Sequence, residues 1–313
     1  CASYLSLAGL DVLVLDARSI IGGATATEEL TLPGFLHDTF STGHPGIQRN
    51  PVLTDPRIGL TTRYGLEYLR HDPVFVMPFP DGASITLSLD PSVTAASIGR
   101  LSPKDAQGWR DLVAQWQRLE PFALQTSSRM AGVPTDVPPA IIDEWRAIGA
   151  RSALDVICDR FEHPYTRLFL LWLATLTGQL IDKPGTGMLA MSLPNMWGTY
   201  SWAHPKGGAI ELPRALARFV TDSGGRILLD QTVERIIVEN GRAAGVRTTD
   251  GRIYTARRAV VSNIHIKHLP AAIGRENLPA DFISGAERFQ AGSSVFVVHL
   301  ALKNNPAVRT DQG

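Results

Sequence analysis

The chain has 313 residues, 44% of them hydrophobic, with 30 Lys plus Arg against 30 Asp plus Glu. That length accommodates two domains with sizeable cores, and a formal charge of zero without a clustered basic stripe argues against a nucleic-acid surface. Cys1 and Cys158 form neither a CxxC pair nor a metal-type cluster, which argues against disulfide redox chemistry and suits a reducing compartment.

The first predicted element is a short helix in "CASYLSLAG", where Tyr4, Leu5 and Ala8 follow helical spacing and Gly9 supplies a residue suited to a left-handed stop. The apolar run Val12 to Leu15 follows, continuous rather than alternating, and predicts a parallel strand covered on both faces. It ends at Asp16, and Gly22-Gly23 lie six and seven residues later. In dinucleotide-binding βαβ units a glycine-rich turn joins the first strand to a helix, and a carboxylate about 20 residues on accepts hydrogen bonds from a ribose hydroxyl. Asp16 stands where that carboxylate belongs. Counting back places the glycine turn upstream of Cys1, so the expectation is a truncated sequence, favoured over a mature lipoprotein because the first residues resemble a packed helix.

The Gly- and Pro-rich segment 32–51, "LPGFLHDTFSTGHPGIQRNP", predicts an irregular loop. Residues 73–90 predict a hairpin turning at Pro80, Asp81 and Gly82. From Pro91 to about Leu180 the spacing is helical, with Ser102 or Asp105 as a cap. Within it, "LFLLWLATLTGQLI" at 168–181 is too short to span a bilayer and reads first as a buried helix, second as the wall of a tunnel for an apolar substrate. Residues 204–263 then give a Gly-Gly pair opening an amphipathic helix, a second pair at 224 and 225 closing it, and a three-stranded meander turning at Asn240-Gly241 and Asp250-Gly251. Two more strands are predicted, in "RAVVSN" and in "SSVFVVHLALKN".

"LDARSIIGGATATEELTLPGFLHDT", "HPKGGAIELPRALARFV", "GGRILLDQTVERIIVENGRAAGVRTTDG" and "RAVVSN", in that order and spacing, resemble the FAD-dependent phytoene desaturase-like family, nearest the branch of pyridine nucleotide-disulfide oxidoreductase domain-containing protein 2. The resemblance runs through nearly the whole chain and lacks the glycine fingerprint at one end and the last flavin motif at the other. It implies an α/β fold: a glutathione-reductase-type, Rossmann-like FAD-binding domain with a β-meander (1–62 and 200–275) and an α+β substrate domain with a helical insert (63–199 and 276–313). It implies FAD as cofactor, with Asp16 at the adenosine ribose, Gly22 and Gly23 on the pyrophosphate side, the main chain of Val233 at adenine, and Arg18 and Ala24 also among the cofactor-binding residues. Gly207-Gly208 would sit at the return to the cofactor domain. Amine oxidases commonly carry Arg where Ala24 stands, which favours the desaturase-like branch.

The implied reaction removes a hydride and a proton from a carbon-carbon bond, less favourably a carbon-nitrogen bond, of a hydrophobic small molecule. It leaves open peripheral contact with a membrane, a cytoplasmic location, or the mitochondrial matrix in a eukaryote. No residue pattern announces a catalytic base, so none is named. His265 and His268 lack partners at ligand spacing and are read as loop residues, so no metal is assigned. Adjacent Glu28 and Glu29 on an extended chain point opposite ways and are read as structural. The alternatives are an FAD amine oxidase, a nicotinamide-dependent dehydrogenase, and a flavin-free lipid or prenyl-protein binder of the GDP dissociation inhibitor type.

Overall fold

The structure is a computed structural model that describes residues 1–128 and 137–304. In chain order the first elements are α1 (Ala2–Leu7), β1 (Leu13–Leu15), β2 (Thr27–Glu29), β3 (Leu36–Asp38), α2 (Pro51–Thr54), β4 (Tyr68–Leu69), β5 (Phe75–Pro78) and β6 (Ser84–Leu87). Six helices follow: α3 (Pro91–Gly99), α4 (Pro103–Ser128), α5 (Pro139–Gly149), α6 (Ala153–Arg160), α7 (Pro164–Thr175) and α8 (Leu189–Tyr200). The last stretch carries β7 (His204–Pro205), α9 (Glu211–Asp222), β8 (Arg226–Leu228), β9 (Val233–Glu239), β10 (Arg242–Thr248), β11 (Ile253–Thr255), α10 (Leu269–Ile273) and α11 (Ala280–Arg288). Two compact units share these elements, one of residues 1–42, 51–67 and 205–291, the other of 43–50, 68–204 and the described residues from Gly292 onward.

In the first unit β1 pairs in parallel with β8, Leu13 opposite Arg226 and Leu15 opposite Leu228. Gly9, at φ 74°, turns the chain out of α1 toward β1. Gly225 is required where α9 hands over to β8, because a Cβ there would lie 2.7 Å from Val220 Cγ1. The parallel pairing agrees with the continuous apolar run, but β1 is half-buried rather than covered on both faces. Its sheet has only these two strands among the described residues, so one edge of β1 meets no further strand. The meander is antiparallel, in the order β11-β10-β9, and turns at Asn240-Gly241 and Asp250-Gly251 with Asn240 and both glycines at positive φ.

The segment 32–51 is irregular over 39–45, as expected, but begins with an ordered piece. β2 and β3 form an antiparallel hairpin, Thr27 opposite Asp38, and the Phe35 N–H bonds the Leu32 carbonyl around Pro33-Gly34. Pro33 and Gly34, two of its breakers, make the hairpin turn. Residues 258–263 and 293–304 are not strands: neither has a partner strand among the described residues, and Val261, Phe296 and Val298 are exposed. Alternation of side chains favours a strand, but a ladder also needs a second backbone.

The second unit is built on the hairpin β5–β6, Phe75 opposite Leu87, turning through Asp81 and Gly82. Its core joins the buried face of β6 to α3, α4, α6, α7 and α8, with Ile85, Ile98, Leu112, Ile157, Phe169 and Met191 fully buried. Ser102 caps α4 by accepting the Asp105 N–H, whereas the buried Asp105 carboxylate accepts the N–H groups of Glu162 and His163. The stretch 168–181 is helical only to Thr175, and α7 is amphipathic: Phe169, Leu170 and Leu173 are buried while Leu168 and Trp172 are exposed. Residues 129–136 of the expected helical region lie outside the described residues. Among the described residues no helix is long and apolar enough to cross a membrane.

Candidate cofactor site

Asp16 continues the β1–β8 ladder, its N–H donating to the Leu228 carbonyl at 3.0 Å and its carbonyl accepting the Gln231 N–H at 2.8 Å. Both of its backbone groups are thus held. Oδ1 accepts the Arg18 N–H at 2.9 Å, an Asx turn that bends the chain away from the strand. Oδ2 takes no hydrogen bond from the described residues, so a half-buried carboxylate at a strand end keeps a free acceptor.

The same turn brings Arg18 onto the glycine pair. Its guanidinium donates to the Gly23 carbonyl at 3.2 Å and to Glu28 Oε1 at 2.6 Å, tying the strand end to the loop and to β2. Gly22, Gly23 and Ala24 run into a 3₁₀ turn closed by the Thr25 N–H on the Gly22 carbonyl. The two glycines differ in what they avoid. At Gly22, φ 112°, a Cβ would lie 3.1 Å from both Pro213 and the Thr25 carbonyl oxygen; at Gly23, φ 57°, it would meet nothing within 4 Å. Gly22 therefore permits close packing, and Gly23 leaves an open, side-chain-free surface beside Arg18.

Val233 begins β9 two residues after Gln231, whose N–H is on Asp16, so the main chain from 231 to 233 leaves directly from the Asp16 strand end. Of the six residues singled out from sequence, Asp16, Arg18 and Gly23 are linked by hydrogen bonds, Gly22 and Ala24 flank Gly23 in its turn, and Val233 follows Gln231 along the chain. Glu28 and Glu29 do point apart, one to Arg18 and the other to the Gly34 N–H. His265 accepts the Lys267 N–H, and among the described residues no group of three metal-ligating side chains is close enough to hold an ion.

Sequence reasoning missed the pair that fixes this corner. The Thr27 hydroxyl donates to Asp38 Oδ1, which also accepts the Ala209 N–H at 2.8 Å, while Thr27 Oγ1 accepts the Ile210 N–H at 3.1 Å. The hairpin β2–β3 therefore satisfies two N–H groups that precede α9. Gly208, at φ 103°, is needed for that contact, since a Cβ there would lie 2.6 Å from Thr27 Oγ1. The Gly207-Gly208 pair was the available sequence signal, but nothing local linked it to residues some 170 to 180 positions away.

A fixed carboxylate acceptor, a guanidinium and an open glycine surface fit the ribose and pyrophosphate portions of a flavin dinucleotide, which offers hydroxyl donors and phosphate oxygens. Residues 1–312 match the profile of the flavin containing amine oxidoreductases, and the chain belongs to that family. It is 25% identical to a limonene dehydrogenase component of Castellaniella defragrans over 335 residues, covering 99% of this chain and 58% of that protein. It is 25% identical to the lycopene-forming phytoene desaturase of Pseudescherichia vulneris, covering 97% and 61%. It is 24% identical to mouse pyridine nucleotide-disulfide oxidoreductase domain-containing protein 2, covering 97% and 58%. Among solved structures, an oxidoreductase from Methanosarcina mazei superposes with a TM-score of 0.64 at 19% identity, covering 92% of this chain and 62% of that one. The chain spans about three fifths of the length of the curated relatives it matches.

Proposed function

We propose that the protein is an FAD-dependent oxidoreductase of the phytoene desaturase-like type, taking a hydride and a proton from a carbon-carbon single bond of an apolar substrate. The observation that carries the reading is the Asp16 carboxylate at the end of the parallel strand β1, bonded through Arg18 to the open Gly23 turn. Asp16 would hold the adenosine ribose, Arg18, Gly22, Gly23 and Ala24 the pyrophosphate side, and the Val233 main chain the adenine. Residues 1–62 and 200–275 would form the cofactor-binding domain, and 63–199 with 276–313 the substrate domain. The bound flavin would supply the hydride acceptor, while the protein positions both reactants and excludes water. The substrate class rests on relatives whose names specify limonene and phytoene.

The absorbance spectrum of the purified full-length protein tests the cofactor. Flavin bands are expected, and anaerobic bleaching by a terpene or polyene hydrocarbon but not by a primary amine supports the desaturase-like reading. Bleaching by amines alone would replace it with an amine oxidase. A full-length protein that binds no FAD at saturation would favour the flavin-free lipid binder.

A further inference from the structure

The meander brings together a row of side chains that its sheet does not explain. Arg235 on β9 lies directly opposite Arg247 on β10, and Arg247 lies directly opposite Ile253 on β11. Like charges directly opposite on an antiparallel pair repel one another, so this register needs a compensating charge. A β-bulge follows at once, because Thr248 pairs with Val233 and leaves Glu234 unmatched in β9; bulges of this kind re-aim side chains. Glu234 accepts from Arg247 Nε, and neither terminal nitrogen of Arg247 has a bond among the described residues. Arg235 reaches Glu276 at 3.3 Å, through a carboxylate whose side chain is 67% exposed.

Arg235, Arg247 and Ile253 line a surface pocket of about 280 Å³, together with Ile237, Val238, Ile273 and Asn277. Two guanidiniums therefore share one depression with an apolar wall, and Ile253 is itself 60% exposed. Neither ion pair is buried, and exposed pairs contribute little, so an incoming anion can displace a carboxylate from either arginine.

We propose that this pocket binds an organic phosphate monoester, its phosphate between Arg235 and Arg247 and its apolar body on Ile237, Ile253 and Ile273. A phosphate dianion matches two guanidiniums, each able to donate a forked pair of hydrogen bonds. The apolar wall distinguishes such a ligand from free phosphate. Glu276 acts as a built-in competitor, occupying Arg235 when the pocket is empty of ligand.

Isothermal titration calorimetry of the full-length protein tests this with phenyl phosphate, inorganic phosphate and benzyl alcohol. Phenyl phosphate is expected to bind saturably, at least about tenfold more tightly than inorganic phosphate, and benzyl alcohol not at all. Arg235→Gln and Arg247→Gln should each weaken phenyl phosphate about tenfold or more, with circular dichroism confirming the fold. Glu276→Gln should tighten it, because the competing carboxylate is gone; this variant removes no donor, so its sign separates a ligand site from a merely structural ion pair. Equal binding of phenyl and inorganic phosphate, arginine variants with unchanged affinity, or no saturable heat for phenyl phosphate would overturn the proposal.

Discussion

Thr27 and Asp38 face each other across the β2–β3 hairpin, the hydroxyl of one donating to the carboxylate of the other at 2.6 Å, and each also accepts an N–H ahead of α9. Two elements distant in sequence are therefore joined by a charged acceptor that serves two donors. Hydrogen bonds involving a charged group contribute roughly 1.5 to 3 kcal/mol, and an orphaned buried donor is costly as well. Asp38→Ala should therefore destabilise the protein by about 2 to 3 kcal/mol in urea unfolding, and Thr27→Ser, which keeps the hydroxyl, by less than about 1 kcal/mol. Equal losses for the two variants would mean that packing, not hydrogen bonding, holds this corner.

Gly208 gives a second test of the same corner by shape alone. A Cβ would stand 2.6 Å from Thr27 Oγ1 and 2.8 Å from Thr27 Cγ2, on a backbone at φ 103°. Gly208→Ala should cost about 1 to 3 kcal/mol, from the strained dihedral together with the collision. Gly23→Ala shares the positive φ but meets nothing, so it should cost less. Thermal unfolding of both variants decides whether close approach or conformation dominates.

The core of the second unit permits a contrast between two aromatic residues. Phe169 is fully buried, and its replacement by Ala should cost about 3 to 5 kcal/mol through lost burial and the cavity left behind. Trp197 stacks on Trp202 with centroids 4.8 Å apart and meets the Phe75 ring edge-on, but its buried indole N–H bonds to no group among the described residues. Trp197→Phe therefore loses ring area without stranding a partner, and should cost about 1 to 2 kcal/mol in the same urea titration. A larger loss for Trp197→Phe than for Phe169→Ala would reverse the assignment of which ring anchors the helices.

Tyr68 sets a limit on alkaline stability. Its hydroxyl lies 3.0 Å from His44 Nδ1, and burial pushes its ionisation well above the ordinary tyrosine range. A folded-state pKa above the unfolded one means that the neutral form is favoured by the fold: the contribution is complete below about pH 10 and is lost as the pH rises toward the folded-state value. In a spectrophotometric titration of the native protein, Tyr68→Phe should remove a late-ionising phenol and should flatten the loss of stability above pH 10. Loss of an early-ionising phenol instead would show that Tyr68 is not desolvated.

The elements read correctly from sequence were those in which a local signal and a local cause coincide. Gly9, Gly82, Gly241 and Gly251 sit at positive φ in the turns their neighbours announced, and the parallel strand Leu13–Leu15 was legible because its side chains do not alternate. The failures share a different feature. Residues 258–263 and 293–304 have strand-like side chains but no partner backbone among the described residues, and pairing is not a property of a single segment. β3 was hidden because Leu36, His37 and Asp38 are too few to show a period and are flanked by breakers. At the candidate site Asp16 and the glycines were visible through fixed spacing, whereas Thr27 and Asp38 owe their role to Ala209 and Ile210, which only the folded chain brings near.

Asp16 is the most direct test of the proposed cofactor site. Its backbone is held by Leu228 and Gln231, so replacing its side chain leaves the strand ladder intact while removing the free carboxylate oxygen. A charged hydrogen bond is equivalent to roughly 1.5 to 3 kcal/mol, so Asp16→Ala in the full-length protein should bind FAD about ten- to a hundredfold more weakly, measured by fluorescence quenching on titrating the apoprotein. Asp16→Glu should keep most of the affinity, because the carboxylate is retained. Loss of the Oδ1 bond to Arg18 also frees the turn that carries Arg18 onto Gly23, so Asp16→Asn, which preserves that acceptor but not the charge, separates the two contributions. Asp16→Asn should fall between the parent and Asp16→Ala, with circular dichroism unchanged in all three variants. Parent-like FAD affinity in Asp16→Ala would reduce the carboxylate to a strand terminator and remove the ribose assignment from this end of β1.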